Sequence, residues 1–99
     1  MNWNRKPPPA SDDDEISFPR LACWNPMTKV ATIAAEVNGR RVLCKISVEL
    51  LKERFHASAE EPMRAVAENR LAIEAAARNL IQRVAYEEDG SILIRDRNI

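Results

Sequence analysis

The chain has 99 residues, which is enough for one domain with a modest core. Its 15 basic and 15 acidic residues cancel, so net charge gives no electrostatic argument for binding to nucleic acid or to an acidic membrane. Two cysteines, no signal-peptide-like apolar stretch and no apolar run long enough to span a membrane predict a cytoplasmic protein with reduced thiols.

Residues 1–15 contain a run of three prolines followed by four acidic residues. Such a segment has too few apolar side chains to build a core, so we predict that it is disordered. Residues 16–99 are predicted to form a single α+β domain.

The first predicted element is a short edge strand at Ile16–Phe18, which Pro19 follows. Residues 20–24 read as irregular, with Trp24 as a core or rim residue. Asn25-Pro26 marks a turn into the next strand.

The clearest predicted element is a β-hairpin from Lys29 to Ile46 that turns at Asn38-Gly39. Both residues tolerate the positive φ that a two-residue type I′ turn requires. Counting from this turn places Ile33 opposite Cys44. The hairpin then has one apolar face. That face contains Ala31, Ile33, Ala35, Val42, Cys44 and Ile46.

Two helices are predicted after the hairpin. Ser47 can cap a short helix over Val48–Phe55, because its hydroxyl can accept an N–H of the first turn. A long helix is predicted from Pro62, or from Ala59 with a distorted first turn, to about Tyr86. Its apolar stripe comprises Met63, Val66, Ile73, Ala77, Leu80, Ile81 and Val84.

A turn over residues 87–90 and a last strand over Ser91–Arg95 complete the chain. The resulting prediction is a two-layer α+β fold of order β-β-β-α-α-β. A mostly antiparallel sheet of three or four strands is covered on one face by the long helix and the short helix.

The order and spacing of several residues resemble a family of small bacterial proteins, domain of unknown function family 1488. The residues that carry this resemblance are Phe18-Pro19, Trp24, Val30, Gly39, Cys44, Ile46-Ser47, Asn69-Arg70 and Ile73. The resemblance covers roughly residues 16–94. Many members have an aromatic residue in the first hairpin strand, where this chain has Ala31, Ile33 and Ala35. The resemblance implies a compact α+β domain of unassigned activity, and it brings no catalytic residues.

The sequence shows no catalytic constellation, so we expect no enzymatic activity, no cofactor and no bound metal. His56 is the only histidine, and the cysteines Cys23 and Cys44 lack zinc-ligand spacing. Nothing marks His56 as a partner that would activate Cys23. Both glycines lie in predicted turns, so no glycine-rich phosphate loop is present.

Arg70 interrupts the apolar stripe of the predicted long helix. Its guanidinium must reach water along its stem or meet a carboxylate, for which Glu49 and Glu53 on the short helix are candidates. The alternative is that Arg70, with Asn69, binds an anion or an acidic group of a partner.

Three cations, Arg40, Arg41 and Lys45, surround the tip of the hairpin and could contact phosphates. Glu36 lies opposite Arg41, however, and no aromatic stacking platform accompanies them. The leading hypothesis is therefore a non-enzymatic module that binds another protein, self-associates or regulates a partner. A weak nucleic-acid-binding module that uses the hairpin tip is the alternative, an enzyme comes third, and no contact with a membrane is expected.

Overall fold

The computed structural model describes residues 15–99, which form five strands, three helices and a 3-10 turn. The predicted disorder of residues 1–15 falls outside this range except at Glu15. The elements in chain order are β1 (Ile16–Ser17), β2 (Ala22–Asn25), β3 (Val30–Val37), β4 (Arg40–Ser47), α1 (Val48–Phe55), α2 (Pro62–Glu68), α3 (Arg70–Gln82), β5 (Ile92–Ile94) and the 3-10 turn Asp96–Asn98.

The β3–β4 hairpin has the predicted turn and register. Asn38 and Gly39 both have positive φ, at 52° and 85°, as a type I′ turn requires. Ile33 pairs with Cys44, and every predicted member of the apolar face is at most 8% exposed. The prediction for this hairpin is therefore confirmed.

The edge beside β3 consists of two short strands separated by a bulge. β1 pairs with the tip end of β3, and β2 pairs with the other end of β3, at Val30–Ile33. The prediction that residues 20–24 are irregular is wrong, because Ala22–Trp24 belong to β2. The segment is held by backbone hydrogen bonds to β3, a long-range partner that the local sequence does not reveal.

The last strand lies on the opposite edge, where β5 pairs in parallel with β4. The sheet therefore runs β1/β2, β3, β4, β5, with antiparallel pairs everywhere except at β5. This arrangement confirms the mixed α+β class and the mostly antiparallel sheet, but the sheet has five strands where three or four were predicted.

The predicted long helix is interrupted at Asn69, and α2 and α3 lie on either side of it. The backbone of Asn69 has φ −117° and ψ 26°, and its side-chain Nδ2 donates a hydrogen bond to the Ala65 carbonyl at 2.9 Å. Asparagine competes for backbone groups in this way, which explains why it favours helix ends. The predicted start at Pro62 is confirmed, whereas continuity through residue 69 is wrong.

Helix α3 ends at Gln82, four residues before the predicted end at Tyr86. Val84 has φ 56°, and Ala85 N–H donates to the Leu80 carbonyl at 2.9 Å. This is a Schellman ending, in which a left-handed residue terminates the helix. Val84 is 53% exposed and is thus outside the core stripe that was predicted to contain it.

The three helices cover one face of the sheet and enclose the core. Ser47 accepts the N–H of Leu50 at 3.2 Å, so the predicted cap of α1 is confirmed. The centre of the core is aliphatic, and residues with no or almost no exposure come from both layers. They include Ile33, Ile46, Leu51, Val66, Ile73, Ile92 and Ile94.

Candidate interaction surfaces

Arg70 fastens the bulge between β1 and β2 to α3. Its Nε donates to Glu74 Oε2 at 2.7 Å, and its Nη2 donates to the Pro19 carbonyl at 2.7 Å. The same carbonyl accepts the N–H of Leu21 at 2.7 Å. The side chains of Arg70 and Glu74 are only 21% and 20% exposed. Partial burial strengthens such a charge-assisted pair, because water screens it less.

The prediction that Arg70 pairs with Glu49 or Glu53 is wrong. Arg70 begins α3, so Glu74 lies one turn further along the same helix face. Helix α1 instead lies against α2 and β4, away from the bulge that Arg70 contacts. The side-chain amide of Asn69 already donates a hydrogen bond to the Ala65 carbonyl. A partner that bound Arg70 and Asn69 would therefore have to displace hydrogen bonds that these residues already make within the fold.

A half-open cleft lies between β2 and the helices, and Arg70 forms part of its wall. Its volume is about 480 Å³. Its lining is largely apolar and comprises Phe18, Arg20, Ala22, Met63, Val66, Ala67, Arg70, Leu71 and Glu74. The guanidinium carbon Cζ of Arg78 lies 5.5 Å from the centroid of the Phe18 ring. This cation–π contact helps to hold the aromatic side chain at the end of the bulge.

The hairpin cations are mostly neutralised by neighbouring acids. Arg41 pairs with Glu36 at 3.0 Å, and Lys45 pairs with Asp89 at 3.3 Å. Hydrogen bonds from Ser91, with a smaller contribution from Lys45, lower the pKa of Asp89 from its ordinary 3.8 to about 2. Arg40 is exposed and forms no ion pair within residues 15–99. The three cations therefore supply little surplus positive charge.

The predicted candidates lie on opposite layers of the fold. Arg41 and Lys45 belong to the sheet face that the helices leave uncovered, whereas Arg70 lies among the helices on the other face. The structure thus does not bring the two predicted groups into one site.

The uncovered sheet face carries an aliphatic patch that the sequence interpretation missed. We use the name open face for Leu21, Cys23, Thr32, Ala34, Leu43 and Leu93, with the ion pairs of Arg41 and Lys45 at its borders. Leu21 and Leu43 are 48% and 45% exposed and border a shallow depression over Ala34. Leu21 was missed because its position on this face depends on the pairing of β2 with β3. The β-favouring residue Trp24 was the available signal for that strand.

The thiols and the histidine are separated by the fold. Burial raises the pKa of the Cys44 thiol to about 11, which keeps it protonated and unreactive. Cys23 is exposed on the open face, whereas His56 is exposed at the end of α1 in the helical layer. Within residues 15–99, no three His, Cys, Asp or Glu side chains are grouped closely enough to hold a metal ion.

Comparison with known proteins gives a family and a fold. The family model for a protein of unknown function, DUF1488, matches residues 16–94. A crystal structure of a DUF1488 protein of unknown function from Shewanella loihica PV-4 superposes with a TM-score of 0.73 at 22% identity. The match covers 80% of this chain and 90% of that one. No curated protein matches the chain. None of the helices in the described range is both long and apolar enough to cross a membrane.

Proposed function

Because the chain belongs to the DUF1488 family, whose function is unknown, we propose a function from its own surface: it is a non-enzymatic module that binds another protein through the open face. The observation that carries this proposal is the pair of half-exposed leucines, Leu21 and Leu43, on a sheet face that none of the three helices within residues 15–99 covers. A contiguous exposed apolar patch on a small domain is typical of a protein-binding surface.

The charges around the open face favour a protein as its partner. The Arg41–Glu36 and Lys45–Asp89 pairs border the aliphatic centre with compensated charge. Nucleic acid requires surplus positive charge for its phosphates or aromatic rings for its bases. Neither is offered by the residues of the open face. A partner that presents an aliphatic surface with little net charge would complement this face.

A non-enzymatic role is supported by the state of the reactive side chains. The Cys44 thiol is buried in the core and carries a raised pKa. Nucleophilic catalysis by Cys23 would need an adjacent base to form its thiolate. His56 lies in the other layer, so it does not supply that base.

The test is a tagged pull-down from the cells that produce the protein, with and without nuclease. Leu43→Glu places a charge at the centre of the open face, and Met27→Glu places the same charge at an 89% exposed methionine in the β2–β3 turn. We expect a partner that survives nuclease, is lost with Leu43→Glu and is retained with Met27→Glu. Far-UV circular dichroism checks that both variants are folded.

The proposal fails if the captured proteins are the same for both variants, or if nothing is captured by the wild type. Capture that disappears with nuclease, and with Arg40→Ala, would favour nucleic-acid binding at the hairpin tip. Arg40 is the informative position because it is exposed and has no carboxylate partner within the described range.

A further inference from the structure

Strand β2 has one edge that pairs with no other strand of residues 15–99. Ala34 N–H donates a hydrogen bond to the Leu21 carbonyl at 3.2 Å. This bond shows which residues of β2 direct their backbone groups towards β3. Backbone groups in an antiparallel pair alternate in direction, so Cys23 bonds towards β3. Ala22 and Trp24 therefore direct their N–H and C=O groups outward, away from β3.

Within residues 15–99, the rest of this edge is protected, whereas β2 is not. Proteins block exposed edges with proline, charge or a bulge. Pro19 lies in the bulge beside β1, and Arg70 holds this bulge in place. Residues 21–25 contain neither a proline nor a charged side chain. The outer edge of β2 is thus open to pairing with another strand, as far as residues 15–99 are concerned.

The cleft lies next to this edge on the helical side. Ala22 contributes to its lining together with Met63, Val66 and Leu71. In a sheet, side chains of directly paired residues lie on the same face. A residue paired with Ala22 from outside would therefore place its side chain beside the apolar cleft.

We propose that the β2 edge binds β2 of a second copy of this chain in antiparallel orientation. In this register Ala22 of one copy is opposite Trp24 of the other, and the two Cys23 residues face each other on the two-fold axis. All outward backbone groups of Ala22 and Trp24 are then paired in both copies. The two sheets become one continuous sheet, joined at the β2 edge, where Cys23 is the one residue that also belongs to the open face.

The side chains agree with this register. Trp24 is half-buried in its own chain, and it would gain contacts in the neighbouring cleft beside Ala22. Large aromatic side chains provide much of the energy in protein interfaces. Arg20 falls opposite Pro26 of the other copy, so no like charges are brought together along the strand pair.

The helices leave room for the second copy. Helix α2 contacts both β2 and β3, as a helix centred over these two strands would. With adjacent strands about 4.8 Å apart, the two α2 helices would lie about 10 Å from each other. This separation is ordinary for packed helices.

The first test measures the association state of the full chain by analytical ultracentrifugation over a range of concentrations. Ala22→Pro removes an N–H that points outward and leaves the bonds to β3 intact. We expect a wild-type dimer and at least tenfold weaker dimerisation in Ala22→Pro. The two unfolding midpoints should match at a concentration where both proteins are monomeric, since dimerisation itself stabilises the folded state. Trp24→Ala provides a second variant if the proline variant does not fold. A wild type that stays monomeric at its solubility limit would overturn the proposal.

The second test uses Cys23 as a reporter of the two-fold axis. Oxidised glutathione converts two Cys23 thiols into one disulfide and is itself reduced to two glutathione thiols. The control moves the thiol to an exposed turn position, with Cys23→Ser and Met27→Cys combined. In the proposed register the two Met27 residues lie in turns at opposite ends of the strand pair, beyond the two Asn25 residues, which would themselves be about 13 Å apart along the strands.

We expect the intermolecular disulfide to form at least tenfold faster at Cys23 than at the control position. Equal rates would reflect random collision and would contradict the proposed register. Leu43→Glu should leave this dimer unchanged, while Ala22→Pro should leave capture by the open face unchanged. Failure of the dimer is therefore distinguishable from failure of the proposed protein-binding function.

Discussion

The two faces of the β3–β4 hairpin are built from the same two strands and differ in what lies over them. On the covered face, Ile33, Cys44 and Ile46 have no exposed surface. On the open face, Leu43 is 45% exposed and Arg41 extends to Glu36. Alternation along the strands determines which residues share a face. The elements that return later in the chain decide which face becomes the core.

The largest expected difference between the faces is in core stability. Ile33→Ala removes a fully buried side chain and leaves a cavity, which we expect to cost about 3 kcal/mol of the free energy of unfolding. Leu43→Ala on the open face should cost less than about 1 kcal/mol, because its side chain already contacts water. Urea unfolding of the two variants measures both values. Equal losses would show that the open face is as tightly packed as the covered one.

The hairpin and its faces could be predicted from sequence because the information is local. Asn38-Gly39 determines the turn, and counting from the turn determines the register. The cap at Ser47 and the helix start at Pro62 were also predicted from local sequence, and the structure confirms both.

The edge and the helix interruption could not be predicted in the same way. Strand β2 exists because β3 offers it hydrogen bonds, and a propensity analysis of residues 20–24 does not include that contact. Asn69 was visible in the sequence, but its bond to the Ala65 carbonyl was not. The open face was missed for the same reason, since Leu21 joins it only through its pairing with Ala34.

A second comparison concerns arginines of the helical layer. Arg70→Met removes one side chain from a partly buried ion pair and from the Pro19 carbonyl, leaving Glu74 without its charge partner. We expect a loss of about 2 kcal/mol in the free energy of unfolding. Arg64→Met is the control, because Arg64 is 70% exposed and its ion pairs should contribute less than about 1 kcal/mol.

The double variant Arg70→Met/Glu74→Leu sharpens this comparison. It removes the unpaired carboxylate that the single variant leaves behind, so we expect it to be more stable than Arg70→Met. If Arg70→Met instead unfolds at the same urea concentration as the wild type, Arg70 has no structural role. The interpretation that it binds a partner's acidic group would then regain support.

The smallest expected effect lies at the border of the open face, in the acid dependence of Asp89. The pKa of Asp89 is lowered in the folded protein, so its contribution to stability is fully present above the ordinary pKa of 3.8 and is lost as pH falls towards 2. The free energies of unfolding of wild type and Asp89→Asn should therefore differ at neutral pH and converge as the pH falls below about 2.

Single substitutions of the partners show which bond produces this dependence. Ser91 donates both its N–H and its hydroxyl to Asp89 Oδ1, at 2.9 and 2.6 Å, whereas Lys45 contacts Oδ2 at 3.3 Å. Ser91→Ala should therefore weaken the acid dependence more than Lys45→Met does. A larger effect of Lys45→Met would mean that the Lys45–Asp89 ion pair dominates. Lys45 would then be strongly neutralised, which would weaken the nucleic-acid hypothesis still further.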